Sequence, residues 1–155
     1  MAYEGNYPGT QEEAILHWIS DCIGQDVTDG EFGDVLHNGV LLCQLANKIH
    51  PGCCKKVYTG RMPFPQRENI TSFLQACRDF GVAEYNLFTT QQLFEGKNLK
   101  QVANCLSAVG RQVYSVPGYE GPALGSAPAE HRGRHHTATH LNALWVRPNG
   151  GRNIF

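Results

Sequence analysis

No stretch of this chain is apolar for the ~20 residues that a membrane-crossing helix needs. Neither sign of charge dominates: 13 Lys and Arg against 14 Asp and Glu leave a net charge of −1. That balance gives no overall attraction to nucleic acid or to a lipid surface. The first six residues, Met1 to Asn6, lack the charged and apolar pattern of a secretion signal. No nucleophile motif, phosphate-cradling glycine loop or paired-carboxylate signature is present. No alternating run is long enough for a strand, and no repeat is visible. Together these absences point to a cytoplasmic binding module rather than to an enzyme, without membrane insertion or nucleic-acid binding; the expected state is a monomer without a cofactor.

What is present is helical. The hydrophobic fraction of 41% suits one globular core. Thr10-Gln11-Glu12-Glu13 is a capping box that opens a first helix. Its apolar stripe is Ala14, Ile15, Trp18, Ile19 and Cys22, and Gly24 stops it. An acidic loop from Asp26 to Asp34 follows, with Phe32 and Leu36 as anchors. A central helix from about Asn38 to Ile49 is almost free of charge in its first two turns, so it must run through the core. The next helix is expected from near Pro65, with Ile70, Phe73, Leu74, Cys77 and Phe80 on one face. Thr89 or Thr90 opens a short helix holding Leu93 and Phe94. Asn98 caps a last long helix striped by Leu99, Val102, Ala103, Leu106, Val109 and Val113. The core expected from these patterns is Trp18, Ile19, Phe32, Leu36, Leu41, Leu42, Leu45, Phe73, Leu74, Leu93, Leu99, Val102 and Leu106.

Beyond Val116 glycine and proline punctuate the chain and helical periodicity is lost. The expected organisation is a loose arm over 1–9, one domain over 10–116, and a disordered Gly/Pro/His-rich tail over 117–155. Cys22, Cys43, Cys77 and Cys105 fall within apolar helical stripes, as small buried thiols do. A disulfide framework is therefore the poorer reading. Asn69-Ile70-Thr71 has the form of a glycosylation sequon, but it lies inside a helix and carries no weight here.

At this point the pattern resembles a known family. Trp18-Ile19, Phe32 and Leu36 ahead of Asn38-Gly39-Val40-Leu41-Leu42-Cys43, and Asn47-Lys48-Ile49-His50-Pro51-Gly52 are similar to the calponin homology domain. So are Met62-Pro63-Phe64, then Glu68-Asn69-Ile70-Thr71-Ser72-Phe73-Leu74, Asn86-Leu87-Phe88, and Leu93-Phe94-Glu95-Gly96-Lys97-Asn98-Leu99 with Val102. The likeness covers about residues 10–115 and falls nearest the branch of transgelin, calponin and invertebrate muscle proteins. It implies an all-α fold: a compact calponin homology domain of four main helices plus short connecting helices, followed by the disordered tail. It also implies work on the actin cytoskeleton, with filamentous actin as the partner. The other reading is a signalling adaptor that binds a kinase and barely touches actin. The family's C-terminal calponin-like repeats are missing. From His131 onward the chain departs from the family's linker and has the look of an alternative exon or a shifted frame.

Six cations are candidate partner-binding residues. Lys48, Lys55, Lys56 and Arg61 surround the end of the central helix and the loop after it, where they could attract an acidic filament. The bland reading is solvated loop charge, with Lys48 complementing a helix C-terminus. Lys97 and Lys100 open the last helix, where positive charge opposes the helix dipole, so helix stability does not explain them. Metal binding is disfavoured. His50, Cys53 and Cys54 lack a fourth ligand at regular spacing. His131, His135, His136 and His140 sit in a Gly/Pro-rich stretch, and Asp26, Asp29, Glu31 and Asp34 do not have calcium-loop spacing.

Overall fold

The structure is a computed structural model that describes residues 3–5, 7 and 9–125. Six helices follow in order: α1 (Gln11–Ile23), α2 (Phe32–Leu36), α3 (Val40–Ile49), α4 (Pro63–Phe80), α5 (Thr90–Phe94) and α6 (Leu99–Gln112). Single 3-10 turns at Glu84–Asn86 and Val113–Ser115 link the later elements. The four long helices α1, α3, α4 and α6 enclose one continuous apolar core, in which Trp18, Phe73, Leu36, Leu42 and Leu106 are fully buried.

The helix ends follow from local chemistry. Thr10 Oγ1 accepts the Glu13 amide at 3.2 Å, and Glu13 Oε1 accepts the Thr10 amide at 2.9 Å, which completes the capping box of α1. Asn98 Oδ1 accepts the Gln101 amide at 3.2 Å to open α6. Helix α3 starts at Val40 rather than Asn38, because Gly39 adopts φ 75° and Asn38 Oδ1 instead accepts the Val40 amide at 3.0 Å. Glycine is required there twice over. The positive φ disfavours a side chain, and a Cβ on Gly39 would lie 2.7 Å from the Asn69 Cβ, where α3 meets α4. Helix α4 begins at Pro63, two residues before the expected Pro65. A proline at the first helical position loses no hydrogen bond, since its amide would be orphaned anyway.

Two expected core residues, Leu41 and Leu99, are only half-buried. Each lies at the margin of its helix's apolar face; Leu99 packs across Gly33, where a Cβ would meet its Cδ1 at 2.8 Å.

The larger difference lies after Val116. Residues 117–125 do not leave the body. Strand β1 (Tyr3–Gly5) pairs in parallel with β2 (Pro122–Leu124), with Tyr3 opposite Pro122 and Gly5 opposite Leu124. Strand β2 lies over α1 and α6: Trp18 Nε1 donates to the Pro122 carbonyl at 2.9 Å, and Ala123 is fully buried. Tyr119 Oη donates to the same carbonyl at 2.5 Å, and Tyr114 Oη to that of Gly125 at 3.0 Å. Gly110 permits the approach, because a Cβ on it would collide with Leu124. Three-residue strands are too short to show alternation in a sequence, which is why neither was expected. The rest of the expected tail, 126–155, lies outside the described residues.

Candidate protein-binding surface

The loop between α3 and α4 begins at His50-Pro51-Gly52, just past the end of α3, and runs back along that helix. Two asparagines clamp it. Asn47, in the last turn of α3, accepts the Cys54 amide at 2.8 Å and donates to the Cys54 carbonyl at 3.0 Å. Asn69, on α4, accepts the Tyr58 amide at 3.0 Å and donates to the Tyr58 carbonyl at 2.8 Å. A carboxamide carries both a donor and an acceptor, so each asparagine satisfies both main-chain groups of one loop residue, as a neighbouring strand would. Asn69 also donates to the Asn38 carbonyl at 3.0 Å, and its own carbonyl accepts the Cys43 thiol at 3.2 Å. One side chain thus ties the start of α3, the loop and α4 together. Asn69 is the sole buried polar or charged residue among the described residues, as expected when every polar atom has a partner.

Three thiols lie under the first clamp. Cys54 is buried beside Cys43 and Cys53, and the Cys53 thiol donates to Asn47 Oδ1 at 3.7 Å. Those contacts with Cys54, together with burial, push the Cys43 and Cys53 thiols well up, which keeps both protonated. Near the end of the loop, Tyr58 Oη accepts the Met62 amide at 3.0 Å, and Gln66 Nε2 donates to the Gly60 carbonyl at 3.0 Å. The loop is therefore held at Cys54, Tyr58, Gly60 and Met62.

Between and beyond these anchors stand the cations. Lys55, Lys56 and Arg61 are exposed, and among the described residues they form no ion pair. Because the loop retraces α3, a helix of 10 residues and so about 15 Å long, the candidate cations are strung out rather than gathered at one end. Lys48 stands at the C-terminal end, on a groove of about 410 Å³ shared with Cys22 and the Pro117–Pro122 segment. Burial raises the Cys22 thiol there to about 11.

Lys97 and Lys100 sit elsewhere and differ from each other. Lys97 Nζ is 3.4 Å from Glu95 Oε1, while Glu95 Oε2 receives Arg67 at 3.3 Å. The hydrogen bond from Lys97 leads in holding the Glu95 carboxyl below its usual range. The Arg67 guanidinium lies over the Phe94 ring at 4.5 Å, and Phe94 stacks on His37 at 4.3 Å. Lys97 is thus partly neutralised, whereas Lys100 is exposed and forms no ion pair among the described residues.

Two features of this surface escaped the sequence reading as site features. Asn69 falls on the buried face of α4, four residues before Phe73, and that position was its available signal. Met62 and Phe64 are 64% and 72% exposed, although apolar residues around a helix start are read as anchors. Among the described residues no group of three His, Cys, Asp or Glu side chains is placed to hold a metal ion, and no helix is long and apolar enough to cross a membrane. In the acidic loop, Asp26 Oδ1 accepts the Thr28 amide and hydroxyl at 3.0 and 2.7 Å, which lowers its pKa. The tail histidines lie outside the described residues.

The described residues form a helical domain with a cation-bearing loop clamped to its surface. The model of the calponin homology (CH) domain matches residues 9–114, and the chain belongs to that family. It is 39% identical over 140 residues to Myophilin of Echinococcus granulosus, covering 89% of this chain and 74% of that one. It is 35% identical over 137 residues to Muscle-specific protein 20 of Drosophila melanogaster, covering 88% and 74%. Among solved structures, the calponin-homology domain of an IQGAP protein from Schizosaccharomyces pombe superposes with a TM-score of 0.64 at 25% identity, covering 84% of this chain and 82% of that one. The protein is a transgelin-like member of the family, a cytoskeleton-related structural or regulatory module rather than an enzyme.

Proposed function

We propose that this domain binds filamentous actin by surface complementarity, with the clamped loop of Lys55, Lys56 and Arg61 as its main contact and Lys48, Lys97 and Lys100 as outlying ones. The observation that carries this reading is the state of the loop: three exposed cations without ion-pair partners among the described residues, on a backbone fixed by Asn47 and Asn69. A rigid loop loses little conformational freedom on binding, so more of its electrostatic attraction survives as affinity. Family membership and two muscle-protein relatives favour a filament as the acidic partner. No cofactor is required.

Co-sedimentation of the full chain with actin filaments tests the reading. The double variant Lys55→Glu, Lys56→Glu is expected to weaken binding by about tenfold at physiological salt, and by more at low salt, where screening is weaker. Lys97→Glu should have a smaller effect, because Glu95 already offsets that charge. A native chain that fails to pellet at any salt would sink the filament reading and favour the signalling-adaptor role, with a kinase or other regulator as the partner.

A further inference from the structure

Three large apolar side chains are prominently exposed among the described residues: Met62, Phe64 and Tyr85. Two of them are nearly adjacent and border the basic loop. A phenylalanine that is 72% exposed gains nothing for the fold at that position, and its setting is not floppy. Met62 is held through its amide by the Tyr58 hydroxyl, and Pro63 begins α4. Phe64 stands in the first turn of α4, with Arg67 one turn further along the same helix face. Arg67 is itself fixed by Glu95 and the Phe94 ring. The result is a rigid apolar knob with Lys55, Lys56 and Arg61 along the preceding loop and a fixed guanidinium behind it.

We infer that Met62 and Phe64 form the apolar centre of the docking surface, inserting into a recess on an acidic protein face, with Lys55, Lys56 and Arg61 as the charged rim. This rests on the filament reading above and specifies which contact supplies most of its affinity. Interfaces draw their binding energy from a few buried apolar or aromatic anchors ringed by polar groups, while rim charges mainly steer. The cations require an acidic partner. The rigidity and small size of the knob favour a preformed protein recess over a bilayer, since attachment to lipid grows with the apolar area that can be immersed.

The test uses the full chain and three variants, Phe64→Ser, Met62→Ser and Tyr85→Ser, in co-sedimentation with actin filaments and, separately, with vesicles of mixed phosphatidylserine and phosphatidylcholine. Thermal melts show that each variant is folded, as exposure of these side chains predicts. Phe64→Ser is expected to weaken filament binding by about tenfold or more, and Met62→Ser by less. Tyr85→Ser, which is 84% exposed on the separate Glu84–Asn86 turn, should leave binding unchanged. Undiminished filament binding by Phe64→Ser would overturn this inference while leaving the filament reading intact. Equal losses from Phe64→Ser and Tyr85→Ser would also overturn it, because the effect would then not belong to the knob. Phe64-dependent binding to vesicles without Phe64-dependent binding to filaments would assign the knob to lipid and overturn the protein recess. A native chain that binds no filament would overturn both readings together.

Discussion

Trp18→Ala is expected to lower the stability of the folded chain by about 3–5 kcal/mol. Trp18 is fully buried and is the largest such side chain in the core. Removing the indole opens a cavity where α1 faces the helices packed against it, and close-packed surroundings collapse only in part. The loss of its hydrogen bond matters less. The Pro122 carbonyl keeps its second donor, the Tyr119 hydroxyl, so truncation leaves no orphaned acceptor. Such a loss is a large share of the roughly 5–15 kcal/mol that holds a domain together. Urea unfolding would read it directly. Trp18→Phe separates the two contributions: it retains most of the volume and removes the N–H, and should cost about 1–2 kcal/mol. An unchanged midpoint for Trp18→Ala would refute the placement of this residue.

Asn69→Ala comes next in size, at about 2–4 kcal/mol, for a different reason. The substitution removes little apolar contact. It strips partners from the amide and carbonyl of Tyr58 and from the carbonyl of Asn38. Each buried polar group left unpaired costs about 1–3 kcal/mol, less where water can reach it, and Tyr58 and Asn38 are half-buried. The damage should be local as well as global. Hydrogen exchange is expected to show loss of protection at the Tyr58 amide, while the amides in the middle of α4 stay protected relative to it. Filament affinity should fall too, though no atom of Asn69 is exposed enough to touch a partner, because the loop of Lys55 to Arg61 would no longer be preordered. Unaltered exchange at Tyr58 would show that Asn69 is not the clamp.

The helices were legible because each carries its own start, period and stop. Thr10 with Glu13, and Asn98 with Gln101, announce two N-termini; Gly24 and Gly81 announce two ends. The resemblance gave the class of protein, since several motifs occur in the family's order. What escaped the reading depends on contacts between residues distant in sequence. Trp18 and Pro122 are 104 positions apart, and nothing in the text around either one marks the pairing. The same limit applies to the surface. Six cations could be named from composition, but pairing with a carboxylate is decided by the fold. Arg67 reaches Glu95 from 28 positions away, and the other oxygen of that carboxylate pairs with Lys97. Asn69 was visible as a residue and silent as a clamp, because a polar side chain inside a helix is ordinarily solvated.

The parallel pairing of Tyr3–Gly5 with Pro122–Leu124 has a mechanical consequence. A tension that draws residue 3 and residue 125 apart acts along both strands in opposite directions. The ladder is then loaded in shear, with its bonds sharing the force together, instead of being peeled open one bond at a time. Behind it, the Trp18 and Tyr119 bonds to the Pro122 carbonyl fasten the second strand to the body. Single-molecule pulling through these two points should therefore give one abrupt rupture rather than a gradual extension, and a smooth extension would argue against the strand pair as the closure. Under such a load, two strands of three residues each would be the mechanical latch of the described fold.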